Sequence, residues 1–438
     1  MSKIVNVKLW GTHIGVLGYE PGQSEIATFE YDDNFLKMGI SPSPLKLPTN
    51  SSIYTFDDIS KKTFHGLPGF IADSLPDKFG NQLIDQYFAS IGKQQSEITA
   101  LDRLLYVGFR AMGALEFEPS QTLKSRKSNI ALDLDSLSQL AQMVLSNKEA
   151  FAHKLKQTHR DDAISLLKIG SSAGGARSKA LVAIDEDDNI YDGTVEQTNM
   201  CKYYILKFDS IDNSDRDNKD PKGMTRIEYI YSLIAKECGI DIANTSYIEL
   251  GDDFHFLSQR FDRVKKHNSN KLEKLHYVSW CGLSHAHRET TGAYSYEQLI
   301  MTARELGLGQ DSITELFKRA IFNIIGRNQD DHTKNFGFLM DKSGKWHLAP
   351  AFDMTYSYDP KGKWTNMHQI RLNGKQDKFL KDDIISFGKY CNLNEKKSTE
   401  ILKHTIHNFS QFEQLAPKFN VGKELFNTVR GNLRLDVI

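Results

Sequence analysis

The stretch Asn328–Phe338, Asn-Gln-Asp-Asp-His-Thr-Lys-Asn-Phe-Gly-Phe, constrains this chain more than any other. It follows an apolar run of helical period that stops at Gly326. Between Asp330 and Asn335 it holds two carboxylates, an imidazole, an ammonium and a carboxamide. A segment so polar has to sit at the surface or around a ligand, because buried unpaired charges are costly. Asp330 and Asn335 are separated by four residues, which matches a carboxylate that handles a proton and a carboxamide oxygen that binds a hard cation. The same composition also suits a polar turn that leads into a strand, and the spacing alone leaves both readings open.

Composition narrows the setting. The 438 residues suffice for two or three domains, and 39% hydrophobic and 25% charged residues describe an ordinary globular chain. A formal net charge of -1 supplies no overall field for gripping nucleic acid, although a local basic patch is compatible with it. The four cysteines, Cys201, Cys238, Cys281 and Cys391, are far apart and read as buried thiols of a reducing compartment. No apolar signal core opens the chain, and no run approaches the length of a membrane span. A cytoplasmic protein is the expectation.

In chain order, Lys3–Trp10, His13–Leu17 and Glu25–Tyr31 alternate with glycine turns as a small antiparallel sheet would. Helical periodicity follows over Phe70–Ile91, interrupted at Leu75-Pro76-Asp77, and again over Leu101–Val107, before a strand at Ala114–Phe117. Pro119–Asn129 reads as a linker, and Leu137, Leu140, Ala141 and Val144 share one helix face. Leu167–Ile184 reads as two β-like runs around Ser171-Ser172-Ala173-Gly174-Gly175, either a plain hairpin turn or a backbone able to approach phosphates. Tyr203–Phe208 is a strand carrying Lys207, which needs an anionic partner if buried and is an edge residue otherwise. Thr225-Arg-Ile-Glu228 has the form of a capping box, so Glu228 either caps its helix or pairs with Lys207. Strand character gives way to charge over Phe256–Arg263, and helices are expected at Tyr296–Leu306, Ser312–Ile325, Thr399–Phe409 and Leu425–Leu433. Cys281, His285 and His287 show no fourth metal ligand at a suitable spacing, and His332 is expected to hydrogen-bond within its loop.

The order of these features carries more than any one of them. A glycine-rich loop, a strand lysine, a helix glutamate, a hinge, an Asp-x-x-x-x-Asn loop, a hairpin and a later aspartate, Asp353, follow one another as in protein kinases. The expected fold is α+β: a two-lobed protein-kinase-like fold with an N-terminal β-rich subdomain and a mostly helical C-terminal lobe. The expected divisions are residues 1–122, 130–258 and 259–438.

Asp330–Phe336, Pro350-Ala-Phe-Asp353, Arg260-Phe-Asp-Arg263, Ser171–Lys179 and Ser74-Leu-Pro-Asp77 together resemble the HipA family, serine/threonine kinase toxins of type II toxin–antitoxin modules. The resemblance runs through essentially the whole chain. It implies ATP and Mg2+ as cofactors, with Asp330 as the catalytic aspartate, Asn335 and Asp353 as magnesium ligands and Lys207 on phosphate. ATP would also meet Ser171, Ser172, Ala173, Gly174 and Gly175, with adenine against the backbone of Gln259, Arg260 and Phe261 and the ribose near Asp262. Self-inactivation by autophosphorylation would fall on Ser172, or on Ser171 beside it. The implied partners are a protein substrate, an aminoacyl-tRNA synthetase among the candidates, and a HipB-like antitoxin through which any DNA contact would pass. Two alternatives keep the same fold: a small-molecule kinase with an enclosed pocket at Asp330, and a regulatory pseudokinase acting as corepressor.

Overall fold

The computed structural model describes residues 3–20, 22, 25–120, 131–146, 160–170, 177–197, 200–209, 221–265 and 272–437. Two compact units share the chain. The first comprises residues 1–219, 257–278 and 339–345; the second comprises 220–256, 279–338 and 346–438.

In the first unit, β1 (Ile4–Leu9), β2 (Thr12–Tyr19), β3 (Ala27–Tyr31), β4 (Ile53–Thr55) and β5 (Leu115–Glu118) form an antiparallel sheet in the order β4-β3-β2-β1-β5. Val5, Val7 and Leu9 are buried on one face, the period-2 pattern of a strand with one side on a core. The helical stretch after Phe70 breaks where expected. Pro76 lacks an N–H, and Asp77 restarts the helix Lys78–Ser90 as its N-cap, accepting from Gly80 N at 2.9 Å. Ile84 and Phe88 of that helix pack with Tyr106 of the helix Ala100–Val107.

Leu167–Ile169 is a correction. These residues belong to the helix Arg160–Gly170 and not to a strand, so a helix stands where the first strand of the hairpin is expected. Leu166, Leu167 and Ile169 are all buried, and a short apolar run of that kind has no period that separates helix from strand. The glycine-rich loop at 171–176 lies outside the described residues. Beyond it, β6 (Lys179–Ile184), β7 (Ile190–Asp192) and β8 (Lys202–Lys207) form an antiparallel group with β6 central.

In the second unit, β9 (Thr245–Leu250) neighbours the start of β10 (Asp253–Gln259), and the chain returns to the first unit within β10. The helix Met224–Glu237 corrects the capping expectation. Gly223, at φ 90, turns the chain into the helix ahead of Thr225, so Thr225 and Glu228 lie inside the helix and are buried. The helices Tyr296–Glu305, Gln310–Ile325, Lys381–Tyr390, Glu395–Ser410 and Lys423–Asn432 follow in the same unit. All four cysteines are free thiols. Among the described residues, no helix is long and apolar enough to cross a membrane.

Candidate active site

The loop after the helix Gln310–Ile325 is positioned by that helix's apolar face, where Ile313, Leu316, Phe317, Ala320, Ile321 and Ile324 are buried. Gly326 caps its C-terminal end, where only glycine fits: a Cβ there would come within 2.3 Å of the Phe409 ring. Arg327 then takes a left-handed conformation, φ 53, and its carbonyl accepts from Ser357 N at 3.1 Å.

From there a directional run of hydrogen bonds encircles Asp330. Its backbone N–H donates to Ser357 Oγ at 2.8 Å, and that hydroxyl donates to Asn328 Oδ1 at 3.2 Å. Asn328 Nδ2 donates to Asn323 Oδ1 at 2.9 Å, Asn323 Nδ2 to Tyr296 Oη at 3.0 Å, and Tyr296 OH to Asp331 Oδ2 at 2.7 Å. On the other side, Asn335 Nδ2 donates to the Asp330 carbonyl at 2.7 Å. The backbone around Asp330 is thus held from both directions, while its side chain stays 43% exposed. That combination suits a group that must meet a substrate in one orientation.

Asp331 has the opposite fate. It is buried, and its carboxylate accepts from Tyr296 OH, from Gln369 N at 2.8 Å and from the His368 ring at 2.8 Å. It anchors the loop. His332 lies with Nε2 3.8 Å from Asp330 Oδ1, and burial pushes its pKa down while Asp330 opposes the shift, so the ring is neutral near pH 7. Sequence spacing gave no sign of Tyr296, Ser357 or His368, because each comes from a different part of the chain.

Asp353 sits where the chain leaves a backbone pairing: Ala351 N donates to Asp241 O at 2.7 Å, and Ala243 N to Ala351 O at 3.1 Å. At φ 53 it occupies left-handed space that a β-carbon disfavours. Its carbonyl is 3.5 Å from Asn328 Nδ2. Asn328, Asn335, Phe352 and Asp353 line one small crevice together with Arg319. The Arg319 guanidinium is committed to Glu315 and to the carbonyls of Ala349 and Asp241. Asn335 and Asp353 supply the oxygen donors a hard cation takes, and Asn335 uses its nitrogen on Asp330, which reserves its oxygen as an acceptor. Among the described residues, no three His, Cys, Asp or Glu side chains converge as a metal cage, Cys281, His285 and His287 included. Magnesium commonly takes one or two protein ligands and completes its shell with phosphate and water, so the donor set fits it.

In the first unit, Lys207 is buried at the end of β8, directly opposite Lys179 on β6. Lys179 pairs with Asp77 at 3.4 Å. Both lysines are therefore buried on one face of the strand pair. At the hinge, Gln259 ends β10 and Phe261 packs against Tyr277 at 5.9 Å between ring centroids.

Arg260 and Asp262 depart from expectation. Arg260 N–H donates to Tyr203 O at 2.8 Å, and its buried side chain bonds the Gly193 carbonyl and grips Asp262 through Nε at 3.0 Å and Nη2 at 2.8 Å. Asp262 is fully buried and also accepts from Arg263 Nη1 at 2.7 Å and Gly113 N at 2.6 Å. Burial alone would raise its pKa, but the two guanidinium groups outweigh burial and hold the carboxyl far below the usual range. Both oxygens are spent on four donors, so Asp262 ties the hinge to the Gly113 turn and is not offered to a ribose.

The chain is similar to known proteins. The family model described as HipA N-terminal domain matches residues 5–118, and the HipA-like C-terminal domain matches residues 171–412. A Haemophilus influenzae protein named "Putative kinase" is 26% identical over 196 residues, 38% of this chain and 56% of that protein. The "Serine/threonine-protein kinase toxin HipA" of Shewanella oneidensis is 22% identical over 151 residues, 30% of this chain and 35% of that one. The chain thus spans about half the length, or less, of these two curated relatives. A solved structure titled as the toxin–antitoxin system HipA, HipB and operator DNA complex of Shewanella oneidensis MR-1 aligns with a TM-score of 0.67 at 17% identity. The alignment covers 98% of this chain and 94% of that one, which shows a common fold, the expected α+β, two-lobed, kinase-like one. With both domain models matched, and the second alone spanning more than half of it, this chain belongs to the HipA family.

Proposed function

We propose that this chain is a serine/threonine protein kinase of the HipA toxin type, transferring the γ-phosphoryl group of ATP to a hydroxyl of a protein substrate. One observation carries the reading: Asn335 Nδ2 bonds the Asp330 carbonyl, so two residues of separate chemistry are held as a single unit. The substrate oxygen bonds to the γ-phosphorus as the bond to the ADP oxygen breaks, and Asp330 orients the hydroxyl and takes its proton. Lys207 offsets phosphate charge. Asn335 and Asp353 would hold Mg2+, which when bound would neutralise charge on the transferring group. The exposure of Asp330 favours a macromolecular substrate over an enclosed metabolite. Gln259 and Phe261 remain the proposed adenine contacts, with Ser171, Ser172, Ala173, Gly174 and Gly175 at the phosphates.

The relatives suggest the biology. The Shewanella structure is titled with HipB and operator DNA, and a HipB-like antitoxin is the partner we propose, with DNA reached through it, in the cytoplasm. An aminoacyl-tRNA synthetase is the first target to try. Autophosphorylation at Ser172, or Ser171, would put roughly -1.5 to -2 charge on a loop that cradles phosphates and expel ATP.

Incubation of wild type and Asp330→Ala with Mg-ATP, followed by intact-mass analysis and phosphopeptide mapping, tests both points. Wild type should gain phosphate on Ser172 or Ser171 and the variant should not. Equal transfer by the variant refutes the role of Asp330, and ATP turnover with no modified serine refutes the self-inactivation.

A further inference from the structure

The hydrogen-bond run that ends on Asp331 continues to the far end of the chain. His368 is fully buried with Nδ1 2.8 Å from Asp331 Oδ2, and its other ring nitrogen, Nε2, is 3.1 Å from Arg434 Nη1. A guanidinium can only donate. Nε2 must therefore carry a lone pair, which puts the ring proton on Nδ1, the nitrogen facing a carboxylate that needs a donor. The two neighbours select one neutral tautomer from opposite sides.

Arg434 is itself fixed by its backbone N–H to Ile325 O at 3.0 Å, by Nη1 to Ile324 O at 3.4 Å and by Nη2 to Asp377. Asp377 also faces Arg327 at 3.5 Å, and the Phe379 ring covers His368 edge-on at 5.4 Å. Arg434 thus grips the last turn of the helix that delivers the catalytic loop and, through His368, the loop itself.

Resting on the kinase reading of Asp330, we propose that His368 and Arg434 are positioning residues. Arg434 locks the His368 tautomer, the Nδ1–H of His368 orients Asp331, and Asp331 sets the backbone from which Asp330 projects. The charged groups facing the imidazole are Asp331 on one side and Arg434 and Arg327 on the other, with the Tyr296 hydroxyl sharing the Asp331 carboxylate. Burial and the two arginines disfavour a proton on Nε2 and Asp331 favours one, with the balance below the ordinary histidine value.

Two substitutions divide the ring's functions. His368→Asn keeps a donor near the Nδ1 position, and His368→Gln keeps an acceptor near Nε2 but loses that donor. Steady-state phosphoryl transfer is measured for both and for Arg434→Met, with thermal melting as a check on folding. The tautomer in wild type is read from 15N-histidine NMR, with the signal assigned by its loss in His368→Asn.

We expect an Nδ1–H signal for His368. His368→Asn should stay within about threefold of wild-type kcat, whereas His368→Gln and Arg434→Met lose about tenfold or more with KM for ATP within about twofold, the mark of a misplaced catalytic group. An Nε2–H tautomer, or equal kcat for the Asn and Gln variants beside an active wild type, overturns the relay. A wild type that shows the Nδ1–H signal but never transfers phosphate overturns the kinase reading, and the positioning role with it.

Discussion

Asp262→Asn separates two accounts of one residue. Its carboxylate accepts four hydrogen bonds with no solvent exposure, three of them from the guanidinium groups of Arg260 and Arg263. The substitution keeps the shape but removes the charge, and one of the two acceptor atoms becomes a donor facing donors. Arg263 retains the Gly113 and Ala111 carbonyls and Arg260 retains the Gly193 carbonyl, so neither side chain loses every partner. Two buried positive charges nevertheless remain with no counter-charge between them. Breaking a buried pair from one side costs about 3–5 kcal/mol. That is about a fifth or more of the stability of an ordinary domain, roughly 5–15 kcal/mol. Urea unfolding followed by circular dichroism should show this loss at pH 7. The depressed carboxyl stabilises above the unfolded pKa near 4 and loses that contribution as pH falls through and below it, so the gap between wild type and variant should narrow in acid. A variant within about 1 kcal/mol of wild type, with a raised KM for ATP, would refute this reasoning and restore the ribose contact.

Further outcomes follow from the same geometry. Asp353→Gly removes a β-carbon from a left-handed position, so unfolding free energy should hold or rise by about 1 kcal/mol while phosphoryl transfer is lost. A marked fall in stability would assign that side chain to the fold. His276 is fully buried beside the Pro42 carbonyl, at 2.9 Å, and burial pushes its pKa down to about 4 against the weaker opposing effect of that bond. Its folded pKa lies below its unfolded one, so stability is complete above about pH 6.5 and declines as pH falls towards 4, by at most roughly 3 kcal/mol. His276→Gln should flatten that part of the stability profile, and an unchanged slope refutes the assignment.

The regular elements were legible where one periodicity ran long enough. The helix Gln310–Ile325 repeats its apolar residues over four turns, and β1 alternates cleanly. Leu167–Ile169 was not legible, because the alternation Leu-Lys-Ile fits a strand while the same residues, with Leu166, are buried equally well in a helix. Thr225 and Glu228 matched a capping box by composition, yet the chain entered its helix earlier at Gly223, where positive φ was available. In the active site, Asp330 and Asn335 could be paired because they lie on one loop. Tyr296, Ser357, His368 and Arg434 could not, since hydrogen bonds across tens of residues leave no spacing to read.

The polar density that made the Asn328–Phe338 loop conspicuous therefore divides into two kinds of residue. Asp330 and Asp331 are neighbours of identical chemistry, but one carboxylate is 43% exposed and the other is buried beneath three donors. Adjacency is what makes the pair work. Successive side chains in an extended loop diverge, so a carboxylate anchored inward holds the next one outward, and anchoring it takes the neutral imidazole, tyrosyl and amide donors supplied from other segments. A loop built only of residues that meet the substrate would have nothing to hold it. On the proposed kinase reading, Asp331 serves Asp330 by staying out of the chemistry.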